Sequence, residues 1–352
     1  MGSTGPRLDV DLDALVRNAA AYAGRVGVPL LPMVKADGYG LGAVPVARAL
    51  EPLDPFGYGV ASVAEAGALR AAGIARPIVA FQPLLPAHVE GFVRADVRPV
   101  IGSLEAFDAW TGHSGRPFHV EIDTGMGRSG FRWHDRDRIG ALADRLARGP
   151  GFEGLFTHFS SAEDPAITAA EWDRFQAVLG ALPVRPPQIH AANSAAAQWG
   201  RYAADLARPG IFLYGGRAGA LIPEPVASLR GVVHAVRPIR AGDPVSYGGT
   251  CLADRDAEVV TIGLGYADGV PRSLSNGGEF EVTGQLLPIA GRVTMDMTMV
   301  IADPGTVRTG DVATLYGAVP DLDAQAARAG TISYELLTSV GRRVTRHYGA
   351  NR

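Results

Sequence analysis

The sequence predicts an α/β protein: a (β/α)8 TIM-type barrel over residues 8–222, followed by a mostly-β C-terminal domain over residues 223–352. Three observations carry that reading. Short apolar runs alternate with Ala/Leu-rich amphipathic stretches from residue 11 to about residue 215. No G-x-G-x-x-G follows any of those runs, which sets aside a doubly wound dinucleotide-binding sheet. Past residue 225 the texture changes to short Val/Thr-rich runs separated by Gly, Asp and Pro. A chain of 352 residues, 47% hydrophobic and 20% charged, can fill a core of that size.

Residues 11–23 read as the first helix, opened by an Asp-rich turn. Barrel strands are expected at 30–34, 56–60, 78–81, 98–101, 118–122, 154–157, 188–191 and 210–214. Between them, 62–72 reads as a helix with Ser62 as N-cap and Glu65 three residues on, a capping-box pattern. Residues 164–182 read as another, with Pro165 in its first turn. Two prolines in 221–225 mark a linker. Beyond it, strands are expected at 232–236, 259–262, 280–283, 297–301 and 312–315, and helices at 321–329 and 334–337. Residues 1–7 are polar and Gly-rich and read as a flexible or tag-like start.

Composition narrows the function classes. A net charge of −3 gives no basic footprint for nucleic acid or an anionic membrane. There is no 18-residue apolar run and no apolar segment near Met1, so neither a membrane span nor a signal peptide is expected. Cys251 is the single cysteine, which leaves no intrachain disulfide and no Cys-rich metal site. The expectation is a soluble cytoplasmic protein without a metal.

One residue count is informative. Of the 33 basic residues, Lys35 alone is a lysine. A coding bias toward Arg accounts for the excess of arginine but not for the one lysine retained. A side-chain amine that must lose its proton and act as a nucleophile cannot be replaced by guanidinium. Schiff-base chemistry at Lys35 is therefore the expectation.

In a barrel of this kind, active-site groups sit at the C-terminal ends of the strands. Lys35 and Tyr39 follow the first expected strand, and Arg128 follows the fifth in Asp123-Thr-Gly-Met-Gly-Arg128. His158 follows the sixth, Asn193 and Ser194 the seventh, and Arg208-Pro-Gly210-Ile211 borders the eighth. Each alone has an ordinary structural reading. His158 can be a core histidine, Asn193 and Ser194 a helix cap, Arg128 a solvated loop charge and Tyr39 a packed aromatic. Together at one barrel mouth they suit a phosphorylated carbonyl cofactor. Lysine forms an imine with an aldehyde, while the Gly210 and Ile211 amides with the Ser194 and Tyr39 hydroxyls can hold a phosphate. Pyridoxal 5'-phosphate meets both demands. In the second domain, Gly263-Leu-Gly-Tyr266-Ala-Asp-Gly269 suggests a tight bend presenting a side chain, although Tyr266 also reads as a plain strand-end aromatic.

Several motifs in fixed order make a resemblance. They are Val34-Lys-Ala-Asp-Gly-Tyr-Gly40, the 123–130 segment, Thr157-His-Phe159, Ala192-Asn-Ser-Ala195, the 208–215 segment, Gly265-Tyr-Ala-Asp-Gly269, the 291–297 segment and Tyr334-Glu335. Across essentially the whole chain the sequence resembles the pyridoxal-phosphate alanine racemases. The resemblance implies the barrel and β-domain read above, and a homodimer whose sites combine one subunit's barrel with the other's second domain. It implies interconversion of L- and D-alanine, supplying D-alanine for cell-wall peptidoglycan. By motif, Lys35 would hold the cofactor and act as the base toward D-alanine, with Tyr266 of the partner subunit as the base toward L-alanine. Arg208 would face the pyridine nitrogen, and His158 would link Arg208 to Tyr266. Arg128 and the Met295 backbone would bind the substrate carboxylate. Tyr39, Ser194, Gly210, Ile211 and Tyr334 would hold the phosphate, Asn193 would support the ring, and Arg292 and Asp296 would be supporting residues.

Leu41, Thr294 and Met297 depart from what is frequent in that family. The larger departure is Glu121, where many members carry a carbamylated lysine. Glu121 is expected to pair with Arg128 in a charge-assisted fork; the other reading is a solvent-facing strand glutamate. A serine or broader small-amino-acid racemase is the first alternative. A barrel-plus-β decarboxylase is another, but its Cys-Asp motif is missing, since Leu252 follows Cys251. A non-catalytic cofactor-holding protein would have the barrel alone, and a Schiff-base aldolase would need no pyridoxal phosphate.

Overall fold

The computed structural model describes residues 5–113 and 115–349. Six parallel strands form most of the barrel wall: Tyr58–Val60, Ile78–Pro83, Arg98–Ile101, Phe118–Asp123, Phe152–Phe156 and Gln188–His190, each beside the next. The last two staves are single bridges. Leu30 pairs with Ala207, Met33 with Gly59 and Leu206 with His190, and these close the ring. Proline explains their brevity, because Pro29, Pro32 and Pro209 have no N–H to donate. What remains is a few bonds, such as the Leu31 N–H to the Ala207 carbonyl at 2.8 Å and the Met33 N–H to the Pro209 carbonyl at 2.9 Å.

The strand expected at 210–214 is corrected. Ile211–Tyr214 is a 3-10 turn with all four side chains buried. The eighth stave lies just before it, at 206–207. A four-residue apolar run signals burial but does not separate a strand from a buried turn. The first helix is Leu12–Val26, capped by Asp11, whose carboxylate accepts the Ala14 N–H, and ended by Gly27 at φ 67°. Val63–Ala71 and Pro165–Ala181 are helices, capped by Ser62 and Asp164. The capping box is only half made. Ser62 accepts the Glu65 N–H, while the Glu65 carboxylate turns away to the amides of Ala61 and Ala36.

The second unit is built on the long strand Ala227–Ile239, which pairs with Ala257–Ile262, Val312–Tyr316 and Arg7–Val10. Every expected strand of this region overlaps an observed one, with Glu279–Val282 and Thr298–Ala302 completing the set. Leu322–Arg328 and Ser333–Thr338 are helical. The hairpin strand Gln285–Pro288 and the strands Arg7–Val10 and Thr345–Tyr348 were not legible. Arg7–Val10 lies in this sheet between Ala227–Ile239 and Thr345–Tyr348, with Leu8 and Val10 fully buried. The start of the chain therefore serves the second unit at Arg7, while residues 1–4 lie outside the described residues. No helix among the described residues is long and apolar enough to cross a membrane.

Candidate active site

Lys35 heads a turn of unusual hand. Ala36, Asp37, Gly38 and Tyr39 all have φ between 51° and 62°, a left-handed helical turn in which only one residue is glycine. Each non-glycine residue in that conformation costs about 1–2 kcal/mol, so the surroundings must hold it. Glu65 does so from the neighbouring helix, accepting the Ala36 N–H at 2.9 Å. The Asp37 carboxylate accepts the Ala43 N–H at 2.8 Å. Tyr39 stacks on Tyr214 with ring centroids 4.3 Å apart, and the Tyr214 hydroxyl donates to the Met33 carbonyl. Glu65→Ala is expected to lower stability by about 1–2 kcal/mol, the net worth of its hydrogen bonds to one exposed and one half-buried amide, as read by urea denaturation.

This turn places Lys35 in a cavity of about 150 Å³ lined by Tyr39, Phe81, Arg128, His158, Glu163, Asn193, Ser194, Arg208, Gly210, Ile211 and Tyr334. A larger cleft on the barrel flank, between Ser62 and Arg94, contains no amine. Burial, followed by the charge of Arg128, pushes the Lys35 amine below its ordinary value, which favours the neutral nucleophile. Burial and the cations Arg208, Arg128 and Lys35 drop His158 to about 3, so it stays neutral. Asn193 caps the turn Ala196–Trp199 through the Ala196 N–H at 3.1 Å. Ser194 does not cap: its hydroxyl oxygen accepts the Gly210 N–H at 2.8 Å, tying the seventh and eighth staves together. A Cβ on Gly210 would lie 2.3 Å from the Tyr39 hydroxyl, so only glycine fits there. Tyr334 comes from the second unit of the same chain and sits 6.0 Å from Tyr39, ring to ring.

These residues fit pyridoxal phosphate. One amine of weakened basicity stands opposite three hydroxyls and a glycine backbone packed tightly against one of them. Lys35, Arg128 and Arg208 make the cavity cationic against a single lining carboxylate, Glu163, which suits a phosphorylated ligand and a carboxylate substrate.

Tyr266, Met295, Asp296 and Arg292 do not line this cavity. Tyr266 borders a different cleft, with Gly269, Arg272 and Glu335, and is 44% exposed. Met295 is exposed beside it. The Tyr266 N–H donates to the Thr294 carbonyl and the Ala267 N–H to the Met295 carbonyl, both at 3.0 Å. Arg343 fastens the two loops, forking onto the buried Asp268 at 2.6 and 3.0 Å and reaching Asp296 at 2.8 Å. Ser246 donates to the Arg292 carbonyl from the adjacent turn.

Glu121 points inward from the fifth strand and is 4% exposed, which removes the solvent-facing reading. The expected fork is not formed. One carboxylate oxygen accepts from the Ser129 hydroxyl at 2.6 Å, and the other lies 3.7 Å from Arg128. The carboxylate arm is too short to reach the guanidinium squarely, so the contact is an ion pair. Burial, acting above all other influences, raises the Glu121 carboxyl from its ordinary value. Removing the charge beside Arg128, Glu121→Gln is expected to raise KM for alanine roughly three- to tenfold. The native protein should also lose affinity as pH falls through that raised value, a limb absent from the variant. Steady-state kinetics across pH, with and without bicarbonate, reads both effects, and bicarbonate should make no difference.

Sequence reasoning missed three supporting groups. Glu65 was hidden by a capping pattern it only half fulfils, and Tyr214 by an apolar run. His190 sits among strand residues with no motif of its own.

Comparisons with known proteins agree with this geometry. The alanine racemase N-terminal domain family matches residues 10–218 and the C-terminal domain family residues 226–348. An alanine racemase of Acidiphilium cryptum is 39% identical over 355 residues, covering 97% of this chain and 98% of its own. One of Deinococcus deserti is 37% identical, covering 95% and 96%. The crystal structure of the biosynthetic alanine racemase of Pseudomonas aeruginosa superposes with a TM-score of 0.90 at 32% identity, covering 99% and 100%. That of Bartonella henselae alanine racemase, with covalently bound pyridoxal phosphate, gives 0.91 at 28% identity over 99% and 100%. A two-unit chain of barrel and β-sheet with a single lysine in the cavity at the barrel mouth defines the class. The chain belongs to the alanine racemase family.

Proposed function

We propose that this protein is a pyridoxal-phosphate-dependent racemase interconverting L- and D-alanine, acting as a cytoplasmic homodimer and supplying D-alanine for peptidoglycan. The observation that carries the reading is the only lysine of the chain, held by a strained turn in a cationic, hydroxyl-lined cavity. Pyridoxal phosphate, when bound, supplies an aldehyde for the Lys35 amine and a ring able to take up the electron pair of a breaking Cα–H bond.

The residues divide the remaining work. Tyr39, Ser194, Gly210, Ile211 and Tyr334 would hold the phosphate, and Asn193 would support the ring. Arg208, a donor that does not readily give up its proton, would face the ring nitrogen and keep it unprotonated. Arg128, steadied by Glu121, and the Met295 backbone of the partner subunit would bind the substrate carboxylate. Lys35 would move the proton on one face of the α-carbon and the partner subunit's Tyr266 on the other, as inversion requires. The exposed setting of Tyr266 and Met295, side by side on paired loops away from the Lys35 cavity of their own chain, supports their service to a second copy. Tyr334, by narrowing the cavity, favours a small side chain.

The test is optical. With added pyridoxal phosphate, the protein should abolish the rotation of an L-alanine solution faster than that of L-serine. Unchanged rotation of both would overturn the reading, and a preference for serine would replace the substrate.

A further inference from the structure

The interior of a barrel of this type is ordinarily filled by branched apolar side chains. Here it holds two fully buried histidines, His119 and His190, in an unbroken polar line. Arg208 donates from its NH1 group to His190 Nδ1 at 2.6 Å. His190 Nε2 lies 2.8 Å from His119 Nδ1, and His119 Nε2 lies 3.1 Å from the Glu153 carboxylate. That carboxylate accepts from Arg98 Nε at 2.5 Å. The line starts at the cavity and ends near the start of the strand Phe152–Phe156, at the opposite end of the barrel from the mouth. The sequence makes room for it: a Cβ on Gly154 would lie 2.2 Å from His119 Nδ1, and Phe156 stacks on His190 at 4.9 Å.

The donor at one end fixes every proton in the line. Guanidinium can only donate, so His190 Nδ1 accepts and its ring carries hydrogen on Nε2. That hydrogen points at His119 Nδ1, which must also accept, leaving hydrogen on His119 Nε2 to be donated to Glu153. The reverse polarity would set N–H against N–H at Arg208. Both rings are then neutral, in keeping with burial, which lowers both imidazoles. Arg208 needs such support. It is 3% exposed, no carboxylate among the described residues lies within ion-pair reach of it, and its other bonds go to the carbonyls of His190, Thr157 and Ala191.

We propose that Glu153 is a positioning residue for Arg208, acting through His119 and His190 as the anionic terminus that the buried guanidinium lacks beside it. The physical logic is that of a carboxylate fixing the tautomer and orientation of a working imidazole, extended by a second ring. The effect on turnover rests on the racemase reading; the proton positions do not.

Nitrogen NMR of protein labelled in its histidines reads the line directly. The native protein should show His119 and His190 neutral, each with hydrogen on Nε2, across roughly pH 6–8. Glu153→Leu removes the terminal acceptor and should shift the signals of both rings and lower kcat about tenfold, the worth of one charge-assisted hydrogen bond, with KM for alanine little changed. Glu153→Gln, which still accepts, should restore most of that loss and tests the proposal even where the leucine variant folds poorly. A charged ring or hydrogen on Nδ1 in the native protein would overturn the proposal. So would His190 signals indifferent to residue 153, or moved signals with an unmoved kcat in both variants. A native protein that racemises nothing would defeat the functional reading while leaving the proton positions to be decided by the spectra.

Discussion

Lys35→Ala protein is expected to stay colourless with added pyridoxal phosphate and to lose at least about 10³-fold in turnover, because the variant removes the proposed site of covalent attachment together with one proposed acid–base group. The chain makes this test unusually clean. No second side-chain amine exists to substitute, so borohydride reduction of the native protein should place one adduct per chain, on the peptide containing Lys35. Lys35→Arg should fail as completely as Lys35→Ala, since guanidinium keeps its proton and does not add to an aldehyde. Absorbance spectra and peptide mapping check both. Reducible label found only at the amino terminus would remove Lys35 from its assigned role.

The second large effect is a recovery. Lys35→Ala and Tyr266→Phe proteins should each be nearly inactive, yet equal amounts mixed under subunit-exchange conditions should regain about a quarter of native activity. Random pairing makes half of the dimers mixed, and each mixed dimer carries one site of two with both groups intact. The expectation follows from Tyr266 bordering a cleft apart from the Lys35 cavity of its own chain. Activity assays alongside native mass spectrometry, which reports the exchange, decide it. No recovery despite exchange would mean that each site is completed within one chain.

The fold was legible where periodicity and caps carried the signal, as at Ser62, an N-cap as read, and at the helix starts near Asp11 and Asp164, which the structure makes the caps themselves. It was illegible where a stave is a bridge rather than a ladder. Prolines at 29, 32 and 209 leave so few bonds that pattern gives no boundary, and the buried turn Ile211–Tyr214 has the composition of a strand. The mouth of the barrel was readable because a lone lysine and the polar residues after successive strands are each unusual in sequence. The groups that hold them are not. Glu65 looks like a cap, and His119, His190 and Glu153 are scattered over about seventy residues and meet only because strands far apart in the chain run side by side. Glu121 was placed correctly beside Arg128, but at 3.7 Å it stops about 1 Å short of the expected fork.

The pairing of Arg7–Val10 with Thr345–Tyr348 has a consequence for how the protein is made. Arg7 is aligned with Thr345, which the ribosome adds more than three hundred residues later. At about 5–20 residues per second, the first strand waits roughly 20–70 s for one of its neighbours. Only in about the last third of that interval have all the barrel segments been made and can condense, and even then Leu8 and Val10 have no finished sheet to enter. Covering the strand Arg7–Val10 is therefore a late step of synthesis, and a nascent chain stalled just before residue 345 would present a finished barrel beside a strand with one edge unpaired.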